Sequence, residues 1–193
     1  MEEIKSYLNA VTEILKRLPH SMIEQIMELT YKAYLDDRFI FLLGNGGSAA
    51  TASHLACDLG KGTVASGQKR MKVMSLTDNT PLITAWANDT DYEHIFSEQL
   101  AHFVSPGDLV IGLSGSGKSK NVLNALKLAR KSKALTVGIT GFDGGEMKDI
   151  VDHCLIVPSN NMQQIEDCHL IITHLIFSLL RDRMAKNRIH SCQ

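Results

Sequence analysis

A chain of 193 residues with 44% hydrophobic side chains carries enough apolar mass for one domain with a two-faced core. Its formal net charge of -1, from 20 Lys and Arg against 21 Asp and Glu, excludes the electrostatic footprint of a nucleic-acid binder or of a protein drawn to an anionic membrane. Small molecules and further copies of the same chain are the expected partners.

Ile4, Tyr7, Leu8, Val11, Ile14, Leu15 and Leu18 recur at helical spacing until Pro19 stops the run. A second amphipathic helix follows Ser21, with Ile23, Ile26, Met27, Thr30, Ala33 and Tyr34 on one stripe. Residues 1–37 therefore form a helix pair ahead of the first strand, and the pattern alone leaves open whether its stripe packs within the chain or on another subunit. Nothing near the N-terminus reads as a basic segment followed by an apolar one, and Cys57, Cys154, Cys168 and Cys192 share no C-x-x-C spacing, so a reduced, cytoplasmic protein is expected. No apolar run approaches the roughly 20 residues of a membrane span, because Thr173 and His174 interrupt the strongest one.

Phe39 to Leu43 is continuously apolar and ends in Gly44-Asn45-Gly46-Gly47-Ser48. That is the signature of a strand buried on both faces delivering bare backbone to a functional edge. Ser48 is the expected N-cap of a helix from about Ala49 to Leu59, on which His54 and Asp58 fall one turn apart on one face. Further apolar runs at Val73–Leu76, Leu109–Leu113, Leu135–Ile139 and Leu155–Val157 alternate with helical patterns. Five such strands predict an α/β fold with a doubly wound parallel sheet over residues 38–185, closed by a helix at about Gln163–Ala185 and a frayed tail, 186–193. Ligands of such sheets bind beyond the carboxyl ends of the strands, which directs attention to Gly44–Ser48, Thr77–Thr80, Ser114–Ser119 and Thr140–Gly145.

Ser114-Gly115-Ser116-Gly117-Lys118-Ser119 joins a strand to a helix, so hydroxyls and backbone N–H groups meet where the helix dipole favours an anion. A phosphate is the natural guest. Gly112 to Ser119 also satisfies G-x-x-x-x-G-K-[ST], the P-loop pattern. Against a nucleotide site, the loop follows the third strand, and no later strand ends in the carboxylate that magnesium requires: Ile139 runs into Thr140 and Val157 into Pro158.

Taken in order, Gly44-Asn45-Gly46-Gly47-Ser48 with His54, Ala87-Asn88-Asp89, the Ser114–Ser119 loop, Thr140-Gly141-Phe142-Asp143-Gly144-Gly145, and Ile165-Glu166 with His169 and His174 resemble the sugar isomerase (SIS) family. Within it the likeness is to the branch that converts sedoheptulose 7-phosphate to a heptose 7-phosphate, and it spans essentially the whole chain. The resemblance implies a flavodoxin-like fold and a homotetramer with sites near subunit interfaces. It implies that Asn45, Gly46 and Gly47 line the substrate, that Asn88 and Asp89 contact its hydroxyls, and that Ser114, Gly115, Ser116 and Ser119 hold its phosphate. It further implies a zinc site at His54, Asp58, Glu166 and His174, with Asp58 as base and His174 as acid. The family typically has Glu at the position of Asp58, Gln at that of Glu166 and Thr at that of Gly115. A non-catalytic regulator of the same fold, sensing a sugar phosphate, is the alternative; it needs the serine loop but has no use for the metal-type residues.

The implied chemistry suits these residue types. Aldose–ketose interconversion through an enediol needs a base that moves a proton between neighbouring carbons and an acid that moves one between their oxygens. Spacing along the last helix introduces a constraint, since Glu166 and His174 lie about 12 Å apart on a regular helix. They converge on one ion only if the helix start is unwound or two subunits contribute. His169 lies about 140° round the helix from His174 and is expected to pack behind the site.

Overall fold

The computed structural model describes residues 1–190, with side chains described through Lys186. Five strands, β1 (Phe39–Gly44), β2 (Lys72–Ser75), β3 (Leu109–Ser114), β4 (Leu135–Thr140) and β5 (His153–Ile156), form one parallel sheet in the order β2-β1-β3-β4-β5. Eight helices accompany them: α1 (Glu2–Lys16), α2 (His20–Leu35), α3 (Gly46–Cys57), α4 (Thr80–Asp89), α5 (Ser97–Ala101), α6 (Lys120–Lys131), α7 (Met147–Ile150) and α8 (Met162–His190). From β1 the chain runs outward to β2 and then returns to start β3 on the other side. The crevice between the carboxyl ends of β1 and β3 is therefore the switch point of the sheet.

The continuous apolar run of β1 has a direct cause. Side chains alternate across a strand, and here both faces are covered. Ile40 and Leu42 enter a core with Ile26 of α2, Leu55 of α3 and Ile172 of α8, while Phe41 and Leu43 enter one with Phe96, Val110 of β3 and Leu126 of α6. All four β1 side chains are fully buried, each contributing about 1.5–3 kcal/mol by leaving water. At the outer edge of the first layer α1 touches α8 through Tyr7, whose hydroxyl donates to the Asp167 carboxylate at 2.6 Å and is held up at about 12 by that bond.

Several boundaries differ from the sequence reading. Asn45, not Ser48, is the N-cap of α3, because Gly46 (φ 53°) turns the chain early and Ala49 N–H closes on the Asn45 carbonyl at 3.2 Å. That helix also ends at Cys57 and widens into a π-helical turn, Asp58–Gly62. At the other end of the chain β5 occupies His153–Ile156, and α8 runs to His190, since no Gly or Pro between Lys186 and His190 stops it. The rest of the expected tail, 191–193 with Cys192, lies outside the described residues; Cys57, Cys154 and Cys168 are free thiols. No helix of the described residues is long and apolar enough to cross a membrane.

A buried aspartate fastens the amino ends of two strands. Asp108 is 3% exposed; its Oδ1 accepts from Phe39 N–H at 2.9 Å and its Oδ2 from Ser105 N–H at 2.8 Å, so one carboxylate ties the starts of β1 and β3. Asp108→Ala should lower the free energy of unfolding by about 3 kcal/mol, because two buried N–H donors lose a charged acceptor. Asp108→Asn, which keeps one acceptor, should fall between that variant and the wild type in urea denaturation, and equal midpoints for all three proteins would refute the assignment.

Candidate active site

Two parallel helices on one face of the sheet bring the metal-type residues together. His54 Nε2 lies 3.1 Å from His174 Nε2, and Asp58 Oδ2 lies 3.6 Å from the first and 4.0 Å from the second. All three donor atoms fall within 4.8 Å of one another. Ligands about 2.0–2.1 Å from a tetrahedral zinc stand about 3.3 Å apart, so two imidazole nitrogens and a carboxylate oxygen at these separations suit a divalent ion. The donor set is also chemically apt, imidazole and carboxylate being zinc ligands. His54 and His174 are half exposed, at 50% and 47%, and Asp58 is 22% exposed, so the group opens on the outer surface of α3 and α8.

Within the single chain Glu166 stands apart from these three, so the four-residue set that the resemblance implies converges only if two subunits contribute. Two turns of regular α8 separate it from His174, and no unwinding brings it down. Its carboxylate lies instead on Gly47 in the first turn of α3, where a Cβ on residue 47 would stand 2.7 Å from Oε2. Glycine is required there for that approach. The pairs Gly47/Glu166 and His54/His174 keep nearly the same spacing along both helices, the expected result of parallel packing.

At the switch point, both helix N-termini are left uncapped by their own N-cap side chains. Asn45 precedes α3, but its amide turns sideways to Asn121 of α6 in a reciprocal pair, with Nδ2 to Oδ1 distances of 2.8 Å in each direction. Ser119 precedes α6, but its hydroxyl meets that of Ser114 at 3.1 Å. Asn79 before α4 behaves as an ordinary cap by contrast, accepting from Leu82 N–H at 3.1 Å.

The anion loop is built by interlocking two glycine loops. Gly117 takes φ 64°, and a Cβ there would collide with the Gly144 carbonyl; Gly117 O in turn accepts from Met147 N–H at 3.0 Å. Ser116 Oγ accepts from Lys118 N–H at 3.2 Å. Gly115 carries the Met162 thioether of α8 directly over its Cα, so the chain has no room for a side chain at that position while Met162 keeps its place. Asn88 and Asp89 close α4, exposed, with Asn88 Nδ2 donating to Asp89 Oδ1 at 2.8 Å. Just beyond them, in the 3-10 turn Tyr92–His94, Tyr92 donates its hydroxyl to Asn45 Oδ1 at 3.1 Å. Asn121, Tyr92 and Met162 escaped the sequence reading; the only signal for the first was a polar residue in the first turn of a helix after the serine loop.

These arrangements have counterparts among known proteins. The SIS domain family pattern matches residues 6–141. A phosphoheptose isomerase of Aliarcobacter butzleri is 34% identical over 185 residues, covering 96% of this chain and 97% of that protein. One from Akkermansia muciniphila is 40% identical over 158 residues, covering 82% and 83%. Among solved structures, phosphoheptose isomerase GmhA from Neisseria gonorrhoeae matches with a TM-score of 0.87 at 27% identity, over 94% of this chain and 98% of that one.

His169 packs behind the site. It is 1% exposed on α8, neither ring nitrogen closes a hydrogen bond of normal geometry, and burial pushes its pKa from 6.5 down to about 4 against a weaker upward pull from the Thr140 backbone. The unfolded chain thus binds a proton below about pH 6.5 that the folded chain refuses until about pH 4, so stability is full above that window and falls as pH drops through it. The loss approaches about 3 kcal/mol at the acid end. His169→Leu should flatten the decline in unfolding free energy between pH 6.5 and 4, and an unchanged slope would show that another group titrates there.

Proposed function

The chain belongs to the SIS domain family, within its phosphoheptose isomerase group, and we propose that it interconverts sedoheptulose 7-phosphate and D-glycero-D-manno-heptose 7-phosphate at the site built from α3, α8 and the two switch-point loops. It is an isomerase acting on a sugar phosphate. The observation that carries the placement of the chemistry is the His54, Asp58 and His174 group, with donor atoms 3.1–4.0 Å apart.

In this reading the uncapped N-terminus of α6 with Ser114, Ser116 and Ser119 takes the phosphate, because its dipole and hydroxyls favour an anion. Asn45, Gly46 and Gly47 line the sugar chain, and Asn88 and Asp89 contact hydroxyls. At the reacting end, Asp58 takes the proton from C1 of the ketose and returns it to C2, while His174 supplies a proton to the C2 oxygen and one leaves the C1 oxygen. His54, Asp58 and His174 would hold a zinc ion, which when bound supplies Lewis-acid stabilisation of charge on the substrate oxygens. Glu166, standing on Gly47, serves the substrate side of the site.

The half-exposed His54 and His174 argue for assembly. An enediol is protected by exclusion of water, and a second copy of the chain is the cover best supported. Apolar surface flanks the group: Leu175 and Leu179 are 42% and 44% exposed, beside a cavity of 400 Å³ that Ile23 and Met27 also line, and on α1 Ile4 and Leu8 are 64% and 59% exposed. A homotetramer using the helix pair and α8 would bury these faces. Its location is read as cytoplasmic, and nucleic acid has no place in the proposal.

Sedoheptulose 7-phosphate followed by NMR tests the reaction directly: aldose signals should grow with the wild type. His174→Gln should lower kcat by about 10²–10⁴-fold in a folded protein, the usual worth of a general acid. Ser119→Asp should chiefly raise KM, placing a carboxylate where the phosphate binds. Equal loss on phosphorylated and unphosphorylated ketose would count against the phosphate assignment. For assembly, light scattering at micromolar concentration should give four times the chain mass; a monomer would sink that part of the reading.

A further inference from the structure

We propose that Asn121 and Tyr92 are positioning residues that lock the Asn45 side chain as a single hydrogen-bond donor facing the substrate, a role that rests on the isomerase reading above. An asparagine amide has two N–H donors and one oxygen with two lone pairs, and left free it can present either end. Here the orientation follows from a backbone group. Val122 N–H, in the first turn of α6, donates to Asn121 Oδ1 at 2.9 Å, and a backbone N–H has no other role to play. The Asn121 oxygen is thereby identified, so its Nδ2 must be the atom that donates to Asn45 Oδ1 at 2.8 Å, and Asn45 Nδ2 the one that donates back. Tyr92 then completes the set, its hydroxyl donating to the second lone pair of Asn45 Oδ1 at 3.1 Å.

The count leaves one free group. Both lone pairs of Asn45 Oδ1 are taken and one Nδ2 proton is used, so only the other Nδ2 proton remains to meet a ligand. Asn45 therefore offers a donor and no acceptor, and it suits a hydroxyl oxygen of the sugar chain that accepts a hydrogen bond. A donor already held in place contributes more to binding than one that must first be oriented. The supports are firm: Asn121 is 3% exposed, and the turn bearing Tyr92 is pinned to α6 by Asn124 Nδ2 on the Glu93 carbonyl at 3.1 Å and by Lys120 Nζ on the Glu93 carboxylate at 2.7 Å.

The experiment is a pair of double-mutant cycles with sedoheptulose 7-phosphate as substrate and inorganic phosphate as competing ligand. Asn121→Ala should lower kcat/KM about tenfold and Tyr92→Phe about threefold, and in an Asn45→Ala background neither should lower it further. The inhibition constant for inorganic phosphate should stay within about twofold of the wild type in both, which damage to the α6 N-terminus would not allow. Effects that multiply with Asn45→Ala, or a parallel rise in the phosphate constant, would overturn the proposal. If the wild type turns over no sugar, the isomerase reading fails separately, and solvent exchange of the Asn45 amide protons decides the lock. One proton exchanging slowly in the wild type and both rapidly in Asn121→Ala upholds it, whereas fast exchange of both in the wild type overturns it.

Discussion

The register between α3 and α8 is the constraint on which the rest of the site depends. It is marked at both ends by a side chain laid on a glycine: Glu166 on Gly47 at the start of α3, and the Phe177 ring on Gly62 at the end of the π-helical turn. Between these points stand His54 and His174. A slip of one residue would move a side chain about 1.5 Å along its helix and rotate it about 100°, enough to dissolve donor spacings of 3.1–4.0 Å. The π-helical turn belongs to the same constraint, since Asp58 begins it and still reaches within 3.6 Å of His54. Buried apolar contacts of Leu55, Leu59, Ile172 and Ile176 hold the helices against the sheet, and the two glycines admit the close approach of Glu166 and Phe177.

Two residues able to cap a helix do not do so at the switch point. A capped helix start is worth about 1 kcal/mol, yet the side chains of Asn45 and Ser119 are both turned from their own helices toward neighbours across the crevice. Asn79, by contrast, caps α4 with its own side chain. What the helices lose is partly recovered in cross-links between layers, since the Asn45–Asn121 pair joins the loop after β1 to α6.

Most of the fold was legible because of the kind of strand it uses. The central strands β1, β3 and β4 are buried on both faces and so registered as largely apolar runs, the edge strands β2 and β5 gave shorter ones, and the glycine and serine loops between them marked the carboxyl edge. His54 and Asp58 were legible through helical spacing. Spacing also showed that Glu166 and His174, two turns apart on one helix, do not meet within a regular helix, and α8 is regular between them. Asn121 and Tyr92 were invisible because the contact is made 76 and 47 residues away along the chain, and nothing in an isolated asparagine tells which partner it will find. The N-cap of α3 moved from Ser48 to Asn45 for a local reason, Gly46 being able to turn where another residue would have extended the strand.

Glu166 also explains how two anion-favouring helix starts can coexist beside one another. Both α3 and α6 begin at the switch point with their dipoles directed into the crevice. A carboxylate lies against the first turn of α3, on Gly47, where negative charge is favoured by about 0.3–1 kcal/mol. At the start of α6 stand the hydroxyls of Ser114, Ser116 and Ser119, and the nearby Glu93 carboxylate is paired to Lys120. The two termini are therefore no longer equivalent to a charged ligand: one is already matched by the protein's own anion, which repels a second, and the other remains open. In the proposed reading this difference would orient a substrate with one phosphate and a neutral polyol chain, its phosphate toward α6 and its chain past Gly47. Neutral Gln at position 166 would leave that choice to the hydroxyls of the loop alone, so the carboxylate gives this chain a second, electrostatic reason for the same orientation.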